Sequence, residues 1–125
     1  MSSQNILLID DDHIVAKTAE KLINRCGYNV ITAATGKEGI DLFKKSRQYI
    51  KCILLDLTMP EMTGWDVLKK IRTLESTIKI IVMSGMDKEE INNTLKNYSN
   101  TQFLQKPFTM QKLKKAIECK TFEQS

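Results

Sequence analysis

Short, unbroken apolar runs alternate with stretches of helical periodicity along the whole chain. The first run, over 5–10, contains Ile6, Leu7, Leu8 and Ile9, and Ile14, Val15, Thr18, Ala19, Leu22 and Ile23 then recur at helical spacing until Gly27. Apolar residues at successive positions predict a strand covered on both faces, as in a parallel sheet, and the spacing that follows predicts an amphipathic helix stopped by glycine. The pairing repeats. The segment 28–33 is β-rich, and 36–48 is helical with Ile40 and Phe43 inward. A buried third strand over 52–56 leads through a loop with Pro60 and Gly64 into a helix carrying Val67, Leu68, Ile71 and Leu74. A fourth strand is predicted over 78–83, and Asp87 stands where it can cap a helix carrying Ile91 and Leu95. The fifth strand reads as 101–105, and Thr109 can cap a last helix with Leu113, Ala116 and Ile117. Five β-α units predict an α/β fold, a doubly wound parallel sheet with helices on both faces.

Length and composition narrow the picture. With 125 residues, 42% of them hydrophobic, the chain can bury one core but not two, so we expect a single domain over 1–125 with its core at about 4–120. No stretch is long and apolar enough for a membrane span, and Met1-Ser2-Ser3-Gln4-Asn5 lacks a secretory signal's basic-then-apolar layout; the expectation is a cytoplasmic protein. Cys26, Cys52 and Cys119 are odd in number, far apart and without a CxxC spacing, which argues for reduced packing residues over disulfides or zinc. The net charge of +4 raises nucleic acid as a partner, but the lysines are scattered with few aromatics among them, so a solvated basic surface is expected instead. Repeats and low-complexity tracts are absent, and only the tail after about Thr121 is expected to fray.

The candidate chemistry lies at strand ends. Asp10 and Asp11 close the first apolar run and Asp56 closes the third, and parallel sheets carry their chemistry beyond the carboxyl ends of the strands. Three carboxylates in one crevice repel one another unless a cation neutralises them, and an all-oxygen donor set suits Mg²⁺. Asp56 has no packing role at the end of a buried strand and is the candidate oxygen nucleophile for phosphoryl transfer. Lys106, before Pro107, can pair with Asp56 and then with a phosphoryl oxygen, and Ser84 can donate its hydroxyl to the same group.

Four motifs carry a family resemblance. Asp10-Asp11, Asp56 within Leu-Leu-Asp-Leu-Thr-Met-Pro-Glu-Met-Thr-Gly, Ser84-Gly85 and Lys106-Pro107-Phe108 stand in order at predicted strand ends. From about Gln4 to about Lys120 the chain resembles the receiver domain of two-component response regulators, particularly the stand-alone, chemotaxis-regulator-like kind. The resemblance implies a flavodoxin-like sheet of strand order 2-1-3-4-5. It implies Asp56 as phosphoacceptor, with the phosphoryl group coming from a phosphohistidine on a histidine kinase or histidine phosphotransfer protein. It also implies Mg²⁺ held directly by Asp11, through a water by Asp10, by Asp56 and by the backbone carbonyl of Thr58. Lys106 and Ser84 complete the site, with a cis peptide bond before Pro107 aiming the lysine inward. Ser84 and Phe103 form the switch, and Thr58 and Met86 flank the water path that sets the lifetime of the acyl phosphate. The output is a changed surface of the fourth helix, fifth strand and fifth helix that regulates a downstream protein. Such a domain is a phosphorylation switch and no enzyme beyond its own phosphorylation and dephosphorylation; we expect a monomer or weak phosphorylation-dependent dimer, with no direct nucleic acid or membrane binding.

Other readings weigh less. A haloacid-dehalogenase-like phosphatase needs a second aspartate two residues after the nucleophile, where Thr58 stands. A nucleotide or flavin binder on this fold needs a glycine-rich loop after the first strand, where Asp10-Asp11-Asp12 would repel phosphate. The receiver portion of a larger DNA-binding regulator or hybrid histidine kinase stays open. His13, the only histidine, reads as a helix-end surface residue, while Trp65 and the methionines Met59, Met62, Met83 and Met86 read mainly as packing.

Overall fold

The computed structural model describes residues 5–59 and 62–119. Strands β1 (Asn5–Ile9), β2 (Asn29–Ala33), β3 (Ile50–Asp56), β4 (Lys79–Ser84) and β5 (Thr101–Gln105) alternate with helices α1 (His13–Arg25), α2 (Gly36–Ser46), α3 (Gly64–Leu74), α4 (Lys88–Leu95) and α5 (Met110–Glu118). All strand pairs are parallel, and the sheet order is β2-β1-β3-β4-β5. The expected fold is thus observed; Pro60 and the tail after Thr121 lie outside the described residues.

The strands read as unbroken apolar runs because both faces are covered. Alternate residues serve opposite faces. Leu7, Ile9, Ile53, Leu55, Ile80 and Val82 pack with Phe43 of α2, Leu68 and Ile71 of α3 and Ile91 and Leu95 of α4. Their neighbours Ile6, Leu8, Cys52, Leu54, Ile81 and Met83 pack with Ala19 and Ile23 of α1 and Leu113, Ala116 and Ile117 of α5. Each fully buried Leu, Ile or Phe contributes about 1.5–3 kcal/mol, so these two layers fix the register of the strands and with it the position of every strand-end residue.

Side-chain caps start the helices. Asp87 accepts from Glu89 N and Thr109 from Lys112 N, as their positions predicted. Thr35 caps α2, and Thr63 forms a reciprocal capping box with Asp66 at α3. Asp12 accepts from Ile14 N and Val15 N at 3.1 Å; its carboxylate is spent on starting α1. Gly27, at φ 96°, takes the left-handed turn that ends that helix region.

Boundaries differ from the sequence reading in physically simple ways. β1 ends at Ile9, leaving Asp10 just beyond the strand, although its N–H still bonds Ala33 O at 3.1 Å. α2 stops at Ser46 and a single 3-10 turn, Arg47–Tyr49, takes up the rest of the predicted helix. β3 starts at Ile50, with Lys51 exposed beside the Tyr28 ring. β4 includes Ser84, which pairs with Gln105 and is buried within the strand end.

Candidate functional site

Strand order reverses between β1 and β3, which opens a crevice at their carboxyl ends. Asp10, Asp11 and Asp56 meet there, each with one carboxylate oxygen within 4.8 Å of the others. Asp10 and Asp56 are buried while Asp11 is exposed at the rim. Backbone donors orient the buried pair: Asp12 N donates to Asp10 Oδ1 at 2.9 Å and Thr58 N to Asp56 Oδ1 at 3.3 Å. Gly64 closes the β3–α3 loop beneath, since a Cβ there would stand 2.4 Å from Asp56 O and 2.5 Å from Leu57 Cα.

Lys106 enters from the end of β5, two strands away from β3. Its Nζ lies 3.4 Å from Asp56 Oδ1 and 3.7 Å from Asp10 Oδ2. The Lys106–Pro107 bond is cis, as the resemblance implied. Asp10 Oδ2 is buried without a hydrogen bond. Burial, the largest cause, pushes the Asp10 carboxyl from 3.8 up to about 6; Asp56 and Asp11 push the same way, against the Asp12 N–H and Lys106. A buried carboxylate oxygen without a hydrogen bond, among three carboxylates that the single Lys106 ammonium only partly offsets, is chemistry that suits a hard cation, so these residues fit Mg²⁺.

Ser84 is buried at the end of β4, and its Oγ accepts from Met86 N at 3.0 Å. Phe103 pairs with Val82 in the ladder and is half-buried against the cluster that includes Ile91 and Leu95 of α4. By strand alternation Ser84 and Phe103 share the face covered by α4. Thr58 is exposed at the rim, and the Met86 side chain is 55% exposed. His13 opens α1 at the surface, and Trp65 packs at the start of α3. One contact had no signal in the sequence: Gln105 Nε2 donates to the Met86 carbonyl at 3.3 Å.

Fold and crevice define a flavodoxin-like α/β protein whose acidic cluster lies at the carboxyl edge of its central strands. The sequence matches the response regulator receiver domain over residues 6–118, and the chain belongs to that family. It is thus a regulatory domain of two-component signalling. It is 37% identical over 105 residues to the cell cycle transcriptional regulator CtrA of Caulobacter vibrioides, a match covering 82% of this chain and 44% of that protein. The chain therefore spans less than half the length of the curated relatives it matches. Among solved structures it is similar to the chemotaxis protein CheY4 of Vibrio cholerae, with TM-score 0.85, 27% identity and coverage of 94% of this chain and 98% of that one. It is also similar to a chain of the CheX–CheY–BeF3–Mg²⁺ complex of Borrelia burgdorferi, with TM-score 0.82, 27% identity and coverage of 90% and 85%. Among the described residues no helix is long and apolar enough to cross a membrane.

Proposed function

We propose that the protein is a phosphorylation-controlled switch that accepts a phosphoryl group on Asp56 from the phosphohistidine of a histidine kinase or phosphotransfer protein. The observation that carries this reading is the Lys106 ammonium, 3.4 Å from an oxygen of Asp56, in a crevice shared with two more carboxylates. Asp10, Asp11 and Asp56, with the Thr58 carbonyl, would hold Mg²⁺; when bound, it supplies positive charge against the phosphoryl oxygens. A solved relative crystallised with BeF3 and Mg²⁺ supports the same assignment by likeness.

In the transfer, a carboxylate oxygen of Asp56 attacks phosphorus in line with the donor imidazole. The P–N bond breaks, its electron pair stays on the ring nitrogen, and a proton from solvent replaces phosphorus there. The protein positions and neutralises. Lys106 passes from the Asp56 carboxylate to a phosphoryl oxygen as a mobile point charge. Ser84 has one proton to donate to another phosphoryl oxygen while its Oγ still accepts from Met86 N–H. The new dianion then biases an equilibrium that involves Ser84 and Phe103, and the surface of α4, β5 and α5 carries the change to a downstream protein.

The test is incubation with Mg²⁺ and a small phosphodonor, followed by mass spectrometric location of the label. Asp56 should be the acceptor and Asp56→Asn should remove it; stoichiometric labelling of that variant would overturn the assignment. A second reading, the receiver portion of a longer transcriptional regulator or hybrid kinase, is favoured by the 44% coverage of CtrA. It keeps the same chemistry and is tested by reading the gene beyond the codon for Ser125.

A further inference from the structure

The β4–α4 loop, residues 85–87, is held at one residue from both sides. Met86 N–H donates to Ser84 Oγ at 3.0 Å, and the Met86 carbonyl accepts from Gln105 Nε2 at 3.3 Å. The loop is otherwise loosely packed: a Cβ on Gly85 would meet nothing within 4 Å, and the Met86 side chain is largely exposed. Asp87 caps α4 through Glu89 N and so moves with the helix. The base of Gln105, by contrast, is fixed, because it pairs with Ser84 in the ladder and the next residue's N–H bonds Ser84 O at 2.8 Å.

The two pins are not equivalent. On the proposed reading the Ser84 hydroxyl turns its proton toward a phosphoryl group on Asp56 while its Oγ still accepts from Met86 N–H, so the geometry of this pin responds to phosphorylation. The Gln105 amide touches nothing that reacts. We propose that Gln105 is a positioning residue of the phosphoryl site: by holding the Met86 carbonyl it sets how far the β4–α4 loop can move and how well Met86 shields the acyl phosphate from water. This inference rests on the reading of Asp56 as phosphoacceptor. An exposed side chain bonding one carbonyl would ordinarily be incidental; here it anchors the only loop between the Ser84 strand end and α4.

The experiment uses Gln105→Met, which keeps length and neutrality but cannot donate, and Gln105→Lys, which restores a donor. Solvent exchange of the Met86 amide, followed by NMR in the unphosphorylated protein, should quicken about fivefold in Gln105→Met, the factor expected for one ordinary hydrogen bond, and return to the wild-type rate in Gln105→Lys. Loss of label from Asp56 in excess Mg²⁺ should quicken severalfold in Gln105→Met. Unchanged exchange in that variant would remove the latch. Faster exchange with an unchanged rate of label loss would remove its connection to the phosphoryl site. If the wild-type protein takes no label at Asp56, it is the phosphoacceptor reading that falls, and the exchange measurement alone then decides whether Gln105 holds the loop.

Discussion

Asp10→Asn should make the metal-free protein more stable at neutral pH. The Asp10 carboxylate is buried with one oxygen lacking a hydrogen bond, and two other carboxylates share its crevice. Asparagine keeps the Oδ1 acceptor for Asp12 N and replaces the buried Oδ2, which lacks a hydrogen bond, by a neutral donor facing the acidic neighbours, while the 3.7 Å ion pair of Oδ2 with Lys106 is lost and offsets part of the gain. The rise from 3.8 to about 6 corresponds to about 3 kcal/mol at pH 7, at about 1.4 kcal/mol per tenfold in proton affinity. Solvent at the open mouth and relaxation reduce this to about 1–2 kcal/mol, a shift on the order of 5 °C in thermal midpoint.

The pH dependence carries the sign. The folded carboxyl releases its proton at higher pH than the unfolded one, so the folded state binds more protons across the window from 3.8 to about 6. Wild-type stability from this group is therefore undiminished below 3.8, falls as pH rises through that window and is flat above it. The advantage of Asp10→Asn should be absent near pH 4 and full at pH 7. Urea unfolding with chelator present, followed by the fluorescence of Trp65 at both pH values, measures the difference. Equal stability at pH 7, or the same gain at both pH values, would refute the burial argument.

Other perturbations read out other parts. Mg²⁺ should stabilise the wild type by about 2.7 kcal/mol at a concentration of about 100 times Kd and so raise its thermal midpoint, and Asp11→Asn should weaken that response; titration followed by differential scanning fluorimetry measures both. Gly64→Ala should cost about 2–3 kcal/mol, because its Cβ would meet the backbone at Asp56 and Leu57, and should also slow labelling of Asp56; a correctly labelled, fully stable variant would contradict the close approach. Lys79→Met should fray the end of α5, since the ammonium donates to the carbonyls of Ala116, Ile117 and Cys119; about 1.5–3 kcal/mol of protection should disappear from hydrogen exchange of that turn. Thr58→Asn/Met86→Glu should shorten the life of the acyl phosphate by orienting the attacking water, as timed label loss in excess Mg²⁺ would show.

What the sequence revealed and what it hid follow from how each feature is encoded. Sheets covered on both faces write themselves as apolar runs, so every strand was legible, and because strand ends carry the chemistry, so was the meeting of Asp10, Asp11, Asp56 and Lys106. Pattern failed where a polar residue belongs to a strand. Ser84 reads as the start of a loop, yet it completes β4 through pairing with Gln105, and Lys51 hides the start of β3 because its exposed ammonium stands over Tyr28. Pattern alone also could not separate neighbouring identical residues, and only the resemblance gave Asp10 and Asp11 different roles: of three consecutive aspartates, Asp10 is buried, Asp11 stands exposed in the acidic cluster and Asp12 caps α1.

Contacts to backbone carbonyls left the least trace, because any residue type can supply the acceptor. Arg72 donates to the carbonyls of Glu75, Ile78, Ser99 and Asn100, tying the end of α3 and the entry of β4 to the turn before β5. Gln105 does the same for Met86 at the opposite end of β5. Burial of the guanidinium lowers the Arg72 pKa, with nearby Glu75 opposing that effect, so the first tie uses a cation partly withdrawn from water. The second uses an exposed neutral amide, which holds with the strength of one ordinary hydrogen bond. The turn before β5 is thus held firmly at the end away from the acidic crevice, and the β4–α4 loop lightly at the end beside it. On the proposed reading, a charge arriving at Asp56 would act beside this lightly held loop, which one ordinary hydrogen bond from Gln105 restrains.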